Sequence, residues 1–278
     1  MANKASPTDP DALSIQLLGR FRVAIGSRII PERAWSSRKA ARLVKLLALA
    51  PNHCLHREQI TDLLWPELDP DAGTNNRYKV LYLARHALEP SLRRNGASSY
   101  LRLQRELVLL APPGPLHIDV EAFQAAARAA HLAHDPALYA QAVALYTGDL
   151  LPEDRFQDWV VGPREQLKAA YCALLVELAT LREQGGDLGG ALDALRQVVA
   201  SDSVHEQAHV CLMRLLVRSG QRHLALRQYQ YLRDALQQEL DAKPAPVTQA
   251  FYRHILGGHD SSADVREASE YLAQRPGG

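Results

Sequence analysis

Residues 74–89 read Thr-Asn-Asn-Arg-Tyr-Lys-Val-Leu-Tyr-Leu-Ala-Arg-His-Ala-Leu-Glu, and this stretch decides the fold of the N-terminal part of the chain. At 100° per residue, one side of a helix collects Val80, Leu83, Ala84, Ala87 and Leu88, with Leu81 at its margin. The opposite side is polar and carries Asn75, Tyr78, Lys79, Tyr82, Arg85, His86 and Glu89. The pattern predicts an amphipathic helix that starts near Asp71 or Thr74 and ends before Pro90.

The segments around this helix predict a winged helix-turn-helix. Two shorter helices are predicted upstream, over residues 38–49 and 56–65, and each is stopped by a proline. Alternating residues over 13–30 predict short antiparallel strands, and residues 99–110 predict a hairpin around residues 104–106. In this plan the third helix enters the major groove of DNA, and the hairpin reaches an adjacent groove or the backbone.

The charge of the chain is divided between its two parts. The net charge is +1, but residues 1–112 hold 17 Lys and Arg against 10 Asp and Glu, a balance of +7 that leaves −6 for the remainder. A basic domain of this size indicates a polyanionic partner, although a solvated basic surface without a partner would look the same. Two parts of the chain with net charges of opposite sign indicate two domains with different partners.

The candidate DNA contacts are polar and basic side chains of the third helix, the hairpin and their surroundings. Asn reads adenine edges, Lys and Arg read guanine or grip phosphate, and Tyr hydroxyls usually bind phosphate. The candidates are Asn75, Asn76, Arg77, Tyr78, Lys79, Tyr82 and Arg85 on the helix, Arg102 and Arg105 on the hairpin, and Arg38, Lys39, Arg93 and Arg94 as phosphate clamps. The alternative is a solvated helix face on which Asn75 and Asn76 serve only as turn and cap residues.

The acidic part is predicted to be helical and to contain a repeat. Helices fit residues 120–131, 137–146 and 164–184, with a loop over 147–154. Gly186, Ala191 and Leu192 recur 34 residues later, at Gly220, Ala225 and Leu226. Thirty-four residues is the tetratricopeptide period, and the helix pair around residues 142 and 143 is expected to add a third, irregular layer. Such arrays offer concave surfaces to partner proteins.

The sequence predicts no enzyme, no cofactor and no metal site. It has no Walker A motif and no G-x-G-x-x-G. Residues 205–209 match the zinc-protease motif H-E-x-x-H, but His209 lies 34 residues after Leu175, so repeat packing explains it better. Three scattered cysteines do not form a disulfide framework, and no apolar run is long enough to span a membrane.

The combined pattern resembles a known family. The N-terminal half resembles the OmpR-type winged helix, and the whole order resembles the SARP regulators (Streptomyces antibiotic regulatory proteins). The resemblance covers roughly residues 13–257. It rests on residues 17–23, 37–47, 55–67, 74–76, 87–90, 118–123, 146–152, 208–215 and 220–229. It implies a transcriptional activator that docks beside a promoter element and contacts RNA polymerase through a bacterial transcriptional activator domain.

The chain departs from the family pattern in the third helix. The family usually has an apolar residue where Arg77 stands, and Leu followed by an Arg pair where Ala84, Arg85 and His86 stand. Arg77 is therefore either an extra DNA-facing cation or a residue at the edge of the core. The departure bears on the target sequence rather than on the type of domain.

The sequence thus predicts a mainly α protein with a small β component. The expected parts are a disordered tail (1–12), a winged helix-turn-helix DNA-binding domain (13–112), a linker (113–116), an all-α tetratricopeptide-like bacterial transcriptional activator domain (117–257) and a polar C-terminal tail (258–278). The expected partners are double-stranded promoter DNA, RNA polymerase holoenzyme and a second copy of the chain, as a homodimer or tandem array. The expected location is the bacterial cytoplasm. The alternative is a helical-repeat adaptor whose winged helix does not bind DNA.

Overall fold

The fold is mainly α-helical with two small sheets, as predicted. The computed structural model describes residues 9–67, 70–93 and 96–257. The strands are β1 (Leu13–Gln16), β2 (Arg22–Ile25), β3 (Arg28–Ile30), β4 (Cys54–His56), β5 (Leu101–Gln104), β6 (Leu107–Leu110) and β7 (Leu116–Ile118). The helices are α1 (Arg38–Leu49), α2 (Arg57–Leu64), α3 (Pro70–Leu88), α4 (Asp119–Ala133), α5 (Pro136–Leu145), α6 (Asp158–Gln184), α7 (Leu188–Ser201), α8 (Glu206–Arg218), α9 (Arg222–Leu240) and α10 (Pro246–Gly257). Short 3-10 turns cover Glu32–Ala34, Pro51–His53 and Pro152–Asp154.

The chain forms two compact units whose boundaries differ from the predicted domain limits. Among the described residues, the first unit combines those between 9 and 125 with residues 145–165, and the second combines residues 126–144 with residues 166–257. The segment predicted as a linker leads directly into β7, which belongs to the first unit. The backbone N–H of Leu13 donates to the carbonyl of Pro115 at 2.9 Å, so this segment lies against the N-terminal strand.

The first sheet has the order β3-β2-β1-β7. Its first three strands are antiparallel, as predicted, and β7 pairs in parallel with β1, with Leu13 opposite Leu116 and Ile15 opposite Ile118. The sequence predicts a linker over residues 113–116 and an all-α domain from residue 117, so β7 is a correction. The second sheet has the order β4-β6-β5 and contains the predicted hairpin.

Asp119, the first residue of α4, anchors the end of β1. Its carboxylate accepts hydrogen bonds of 2.9 Å from the backbone N–H groups of Leu17, Leu18 and Val120. Burial raises the pKa of this carboxyl group above its ordinary value, and the backbone hydrogen bonds act in the opposite direction.

The predicted loop over residues 147–154 also packs on the segment that follows β1 and on α1. Leu150 forms a β-bridge with Leu18. The buried ammonium of Lys45, on α1, lies 2.5 Å from a carboxylate oxygen of Asp154 and 4.6 Å from the centre of the Phe21 ring. A buried cation needs such partners because it loses its hydration. Residues 145–165 are therefore part of the structure that supports α1.

The second unit contains the predicted repeat. Leu178 and Leu212 are both buried, as are Ala191 and Ala225. Gly186 and Gly220 have φ angles of +81° and +72°, a conformation that favours glycine. In each helix pair this glycine lies in the turn between the two helices. Helix α6 begins at Asp158, six residues before the predicted start, and continues through Pro163.

The two predicted tails fall largely outside the described ranges. Residues 1–8 and 258–278 are not described. Of the N-terminal stretch predicted to be disordered, Ala12 is buried, and its carbonyl accepts a hydrogen bond of 2.9 Å from the N–H of Gly26. None of the described helices combines the length and the apolar character needed to cross a membrane.

Candidate nucleic-acid interface

Helix α3 is held by its apolar side, and its polar side is exposed. Val80, Leu81, Ala84, Ala87 and Leu88 are buried, and α3 packs on α1 and α2. Leu83, predicted on this side, is only half-buried. The helical spacing of these residues places the opposite side of the helix outward.

Four candidate contacts stand on the outward side of α3. Tyr78 and Tyr82 are 52% and 44% exposed, and Asn75 and Lys79 are also exposed. The ring centres of Tyr82 and His86 lie 4.0 Å apart, and the ring planes are tilted by 35°. Asn75, Tyr78, Lys79 and Tyr82 follow one another at helical spacing, so they form one continuous strip along the helix. Asn76 is half-buried at the edge of this strip.

Arg77 is turned inward, which corrects its prediction as a DNA contact. The residue is 8% exposed, and its guanidinium donates to the hydroxyl of Thr61 at 3.1 Å and to the carbonyl of Arg57 at 3.4 Å. Arg77 precedes Leu81, Ala84 and Leu88 by four, seven and eleven residues, which is the spacing of the buried stripe. Of the two alternatives for this position, the structure shows the residue at the edge of the core.

Arg85 contacts the hairpin instead of standing free on the polar side. It is half-buried, and its Nε–H donates to the carbonyl of Leu101, in β5, at 3.0 Å. Burial lowers the pKa of Arg85, and the nearby Glu89 partly offsets this shift. The helical wheel alone predicts a free, groove-facing side chain, so this placement is a second correction.

The hairpin of β5 and β6, here called the wing, presents its turn to solvent. Arg105 adopts a positive φ of 54° in the turn, and both Arg102 and Arg105 are exposed. The carboxylate of Glu106 forms an ion pair with the side chain of Arg57. The backbone carbonyl of Glu106 accepts a hydrogen bond of 2.8 Å from the backbone N–H of Arg57. The one acidic residue of the wing is thus neutralised, which leaves its arginines dominant at the turn.

The predicted phosphate clamps differ in accessibility. Arg38 begins α1 and is exposed, as is Arg93. Lys39 is partly buried, with its ammonium 4.6 Å from the centre of the Trp65 ring, and burial together with Arg42 lowers its pKa. Arg94 lies outside the described residues. A cation at the start of α1 lies near helix N–H groups, which also attract anions.

Sequence reasoning did not single out Arg57, Thr61 or Glu106, yet these residues connect α2 to α3 and to the wing. Nothing in the local sequence marks them, because their partners are distant in the chain. Only the position of Arg77 on the apolar stripe signalled that a polar partner had to be buried beside it.

The H-E-x-x-H match at residues 205–209 is a packing feature of the repeat. His209 is 1% exposed. Its Nε2 lies 3.1 Å from the carbonyl of Ser203, and the amide of Gln228 donates to its Nδ1 at 2.8 Å. In the ranges that the structure covers, no three His, Cys, Asp or Glu side chains come together as metal ligands would. Burial lowers the pKa of His209 below its ordinary value.

The lowered pKa of His209 predicts a loss of stability in acid. The unfolded chain binds this proton more tightly than the folded protein does. The stability that the protein has with His209 neutral is therefore complete above the ordinary histidine pKa, about 6.5. It is lost as the pH falls toward the lowered pKa of His209 in the folded protein. We expect His209→Gln to reduce the pH dependence of the unfolding free energy between about pH 7.5 and 5.5, measured by urea denaturation. The exposed His223→Gln is the control, and equal slopes for both variants and wild type would contradict the assignment.

The fold and its exposed helix define a class of protein: a winged-helix unit followed by paired helical repeats. Residues 118–256, half of the chain, match the model of the bacterial transcriptional activator domain. EmbR of Mycobacterium tuberculosis, solved in complex with a low-affinity phosphopeptide, has a similar fold, with a TM-score of 0.68 and 18% identity over 94% of this chain and 69% of that one. No curated protein matched the chain.

The chain therefore belongs to the bacterial transcriptional activator domain family. Its architecture, an N-terminal winged helix followed by this domain, is that of a SARP-type transcriptional regulator. The similarity to EmbR concerns the fold.

Proposed function

We propose that this regulator binds double-stranded promoter DNA with α3 in the major groove and the wing on the adjacent groove or backbone. The observation that carries the proposal is the exposed strip of Asn75, Tyr78, Lys79 and Tyr82 on a helix held from behind by α1 and α2. A major groove is wide enough for such a helix, and these side chains match base edges and phosphates. Arg102, Arg105, Arg38 and Arg93 are proposed as backbone contacts, with Lys39 and Arg94 retained from the sequence prediction. Residues 13–112 are proposed as the part that provides these contacts.

The helical-repeat part is proposed to recruit RNA polymerase holoenzyme in the bacterial cytoplasm. Two features support this role: the family of activators to which the chain belongs, and the acidic balance of −6 outside residues 1–112. A single winged helix buries little DNA surface. We therefore propose binding as a homodimer or tandem array on half-sites about one helical turn apart.

Gel shift over a range of salt concentrations tests DNA binding. For wild type we expect log K to fall linearly with log salt, because each phosphate contact releases counterions. Lys79→Ala should weaken binding about tenfold and flatten the slope by about 0.9, the value of one phosphate contact. The control is Lys243→Ala, an exposed lysine of the helical-repeat part, which should leave both quantities unchanged.

Two results would count against the proposal at different levels. An unchanged slope in Lys79→Ala would remove the phosphate role of that residue alone. If wild type forms no salt-sensitive complex at micromolar protein, the chain is better described as a helical-repeat adaptor whose winged helix does not bind DNA.

A further inference from the structure

Two arginines of α3 connect the helix to the elements on either side of it. Arg77 lies in the N-terminal half of the helix, and its contacts are on α2. Arg85 lies two turns later, and its contact is on the wing. All the acceptors are neutral: one hydroxyl and two backbone carbonyls. These bonds therefore depend on the reach and direction of the side chain more than on its charge.

The contact on α2 continues to the wing. The Arg57 carbonyl that faces Arg77 also accepts from the hydroxyl of Thr61 at 3.0 Å. The backbone N–H and the side chain of Arg57 are both bonded to Glu106, next to the wing turn. Helix α3 is thus linked to the wing at two places: near the turn through Arg77 and Arg57, and at the base through Arg85.

We propose that Arg77 and Arg85 are positioning residues of the DNA-binding site, which hold α3 at a fixed orientation to α2 and the wing. They set the distance between the bases read by the exposed strip of α3 and the backbone position reached by Arg102 and Arg105. The DNA consequence rests on the proposed function. The contacts themselves belong to the protein alone, so the two can be tested separately.

The role of Arg85 can be isolated because glutamine carries an N–H donor at the same bond position as the arginine Nε. Arg85→Gln removes the positive charge and keeps a donor toward the Leu101 carbonyl. Arg85→Met removes both. A phosphate contact would be lost in both variants, whereas a positioning contact is lost only in the methionine variant.

The first measurement is hydrogen exchange of the full chain without DNA. Arg85→Met should speed amide exchange of the wing, residues 101–110, about fivefold, and Arg85→Gln should stay within about twofold of wild type. Arg77→Met should speed exchange near residue 106, and global stability should fall less than in a variant that strips a carbonyl of its donor, because the carbonyl of Arg57 still accepts from the hydroxyl of Thr61. Equal wing exchange in all four proteins would overturn the positioning role, whether or not the protein binds DNA.

The second measurement is in vitro selection of DNA together with the salt dependence of binding. Arg77→Met and Arg85→Met should each weaken binding about threefold to tenfold at an unchanged salt slope. Both should also broaden the spacing between the two selected elements of the site. Arg85→Gln should restore the wild-type affinity and spacing.

Two outcomes of the binding measurement would overturn the proposal. If Arg85→Gln weakens binding as much as Arg85→Met and lowers the slope by about 0.9, Arg85 grips a phosphate directly. If neither methionine variant changes affinity or spacing, the contacts do not set the geometry of the site. If wild type fails to bind DNA, the proposed function fails, and the exchange measurement alone decides whether the arginines position the helix.

Discussion

Replacing Arg164 with methionine is expected to lower the free energy of unfolding by about 4 kcal/mol, because a buried cation that serves three carbonyls is removed. The guanidinium donates to the carbonyls of Leu150 and Leu151 at 2.8 Å each and to that of Arg155 at 3.2 Å. Leu150 and Leu151 are fully buried, so solvent cannot replace the lost donors. Leu151 also holds a positive φ of 45°, a conformation that this loop must maintain against strain.

Urea denaturation of Arg164→Met beside Lys168→Met measures this effect. Lys168 lies one turn further along α6 and is only partly buried, so its substitution should cost less than about 0.5 kcal/mol. A loss below about 1 kcal/mol in Arg164→Met would show that the loop over residues 147–157 keeps its carbonyls bonded without the guanidinium.

Replacing Asp119 with alanine is expected to cost about 3 kcal/mol. The change leaves the N–H groups of Leu17 and Leu18 without their acceptor at the end of β1. The pairing of β1 with β7 ends at this point, so the sheet should open locally as well.

Asp158→Ala is the matched control for Asp119, because Asp158 is also the first residue of a helix but is exposed. Its loss should cost only about 0.5 kcal/mol, the worth of an exposed helix-start carboxylate. Comparable destabilisation in the two variants would mean that Asp119 acts through the helix dipole rather than through β1.

The parts of the winged helix with strong local signals could be predicted from the sequence. Helix α1 matches its prediction at both ends, because Ser37 caps its first turn and Pro51 stops it. The wing was predicted because two apolar strands flank a polar turn, and Arg105 takes the left-handed conformation there. The 34-residue repeat was also visible, since its glycines and small residues are local requirements of each helix pair.

The elements that were missed depend on partners far away in the chain. Strand β7 has three residues, too few to show a period, and its partner β1 lies about a hundred residues earlier. The placement of Arg77 and Arg85 depends on acceptors from α2 and β5, which a helical wheel does not contain. Of the strip on α3, the sequence predicted Asn75, Tyr78, Lys79 and Tyr82 on the polar side, and the structure leaves these side chains exposed.

The parallel pairing of β7 with β1 also determines when the first sheet can be completed during translation. The segment Leu13–Gln16 leaves the ribosome long before Leu116–Ile118 and Asp119, which complete its hydrogen bonds. A nascent chain therefore has no finished winged-helix unit until translation has entered the activator domain. Premature termination before that point yields a product in which β1 has an open edge, and such edges favour aggregation and degradation.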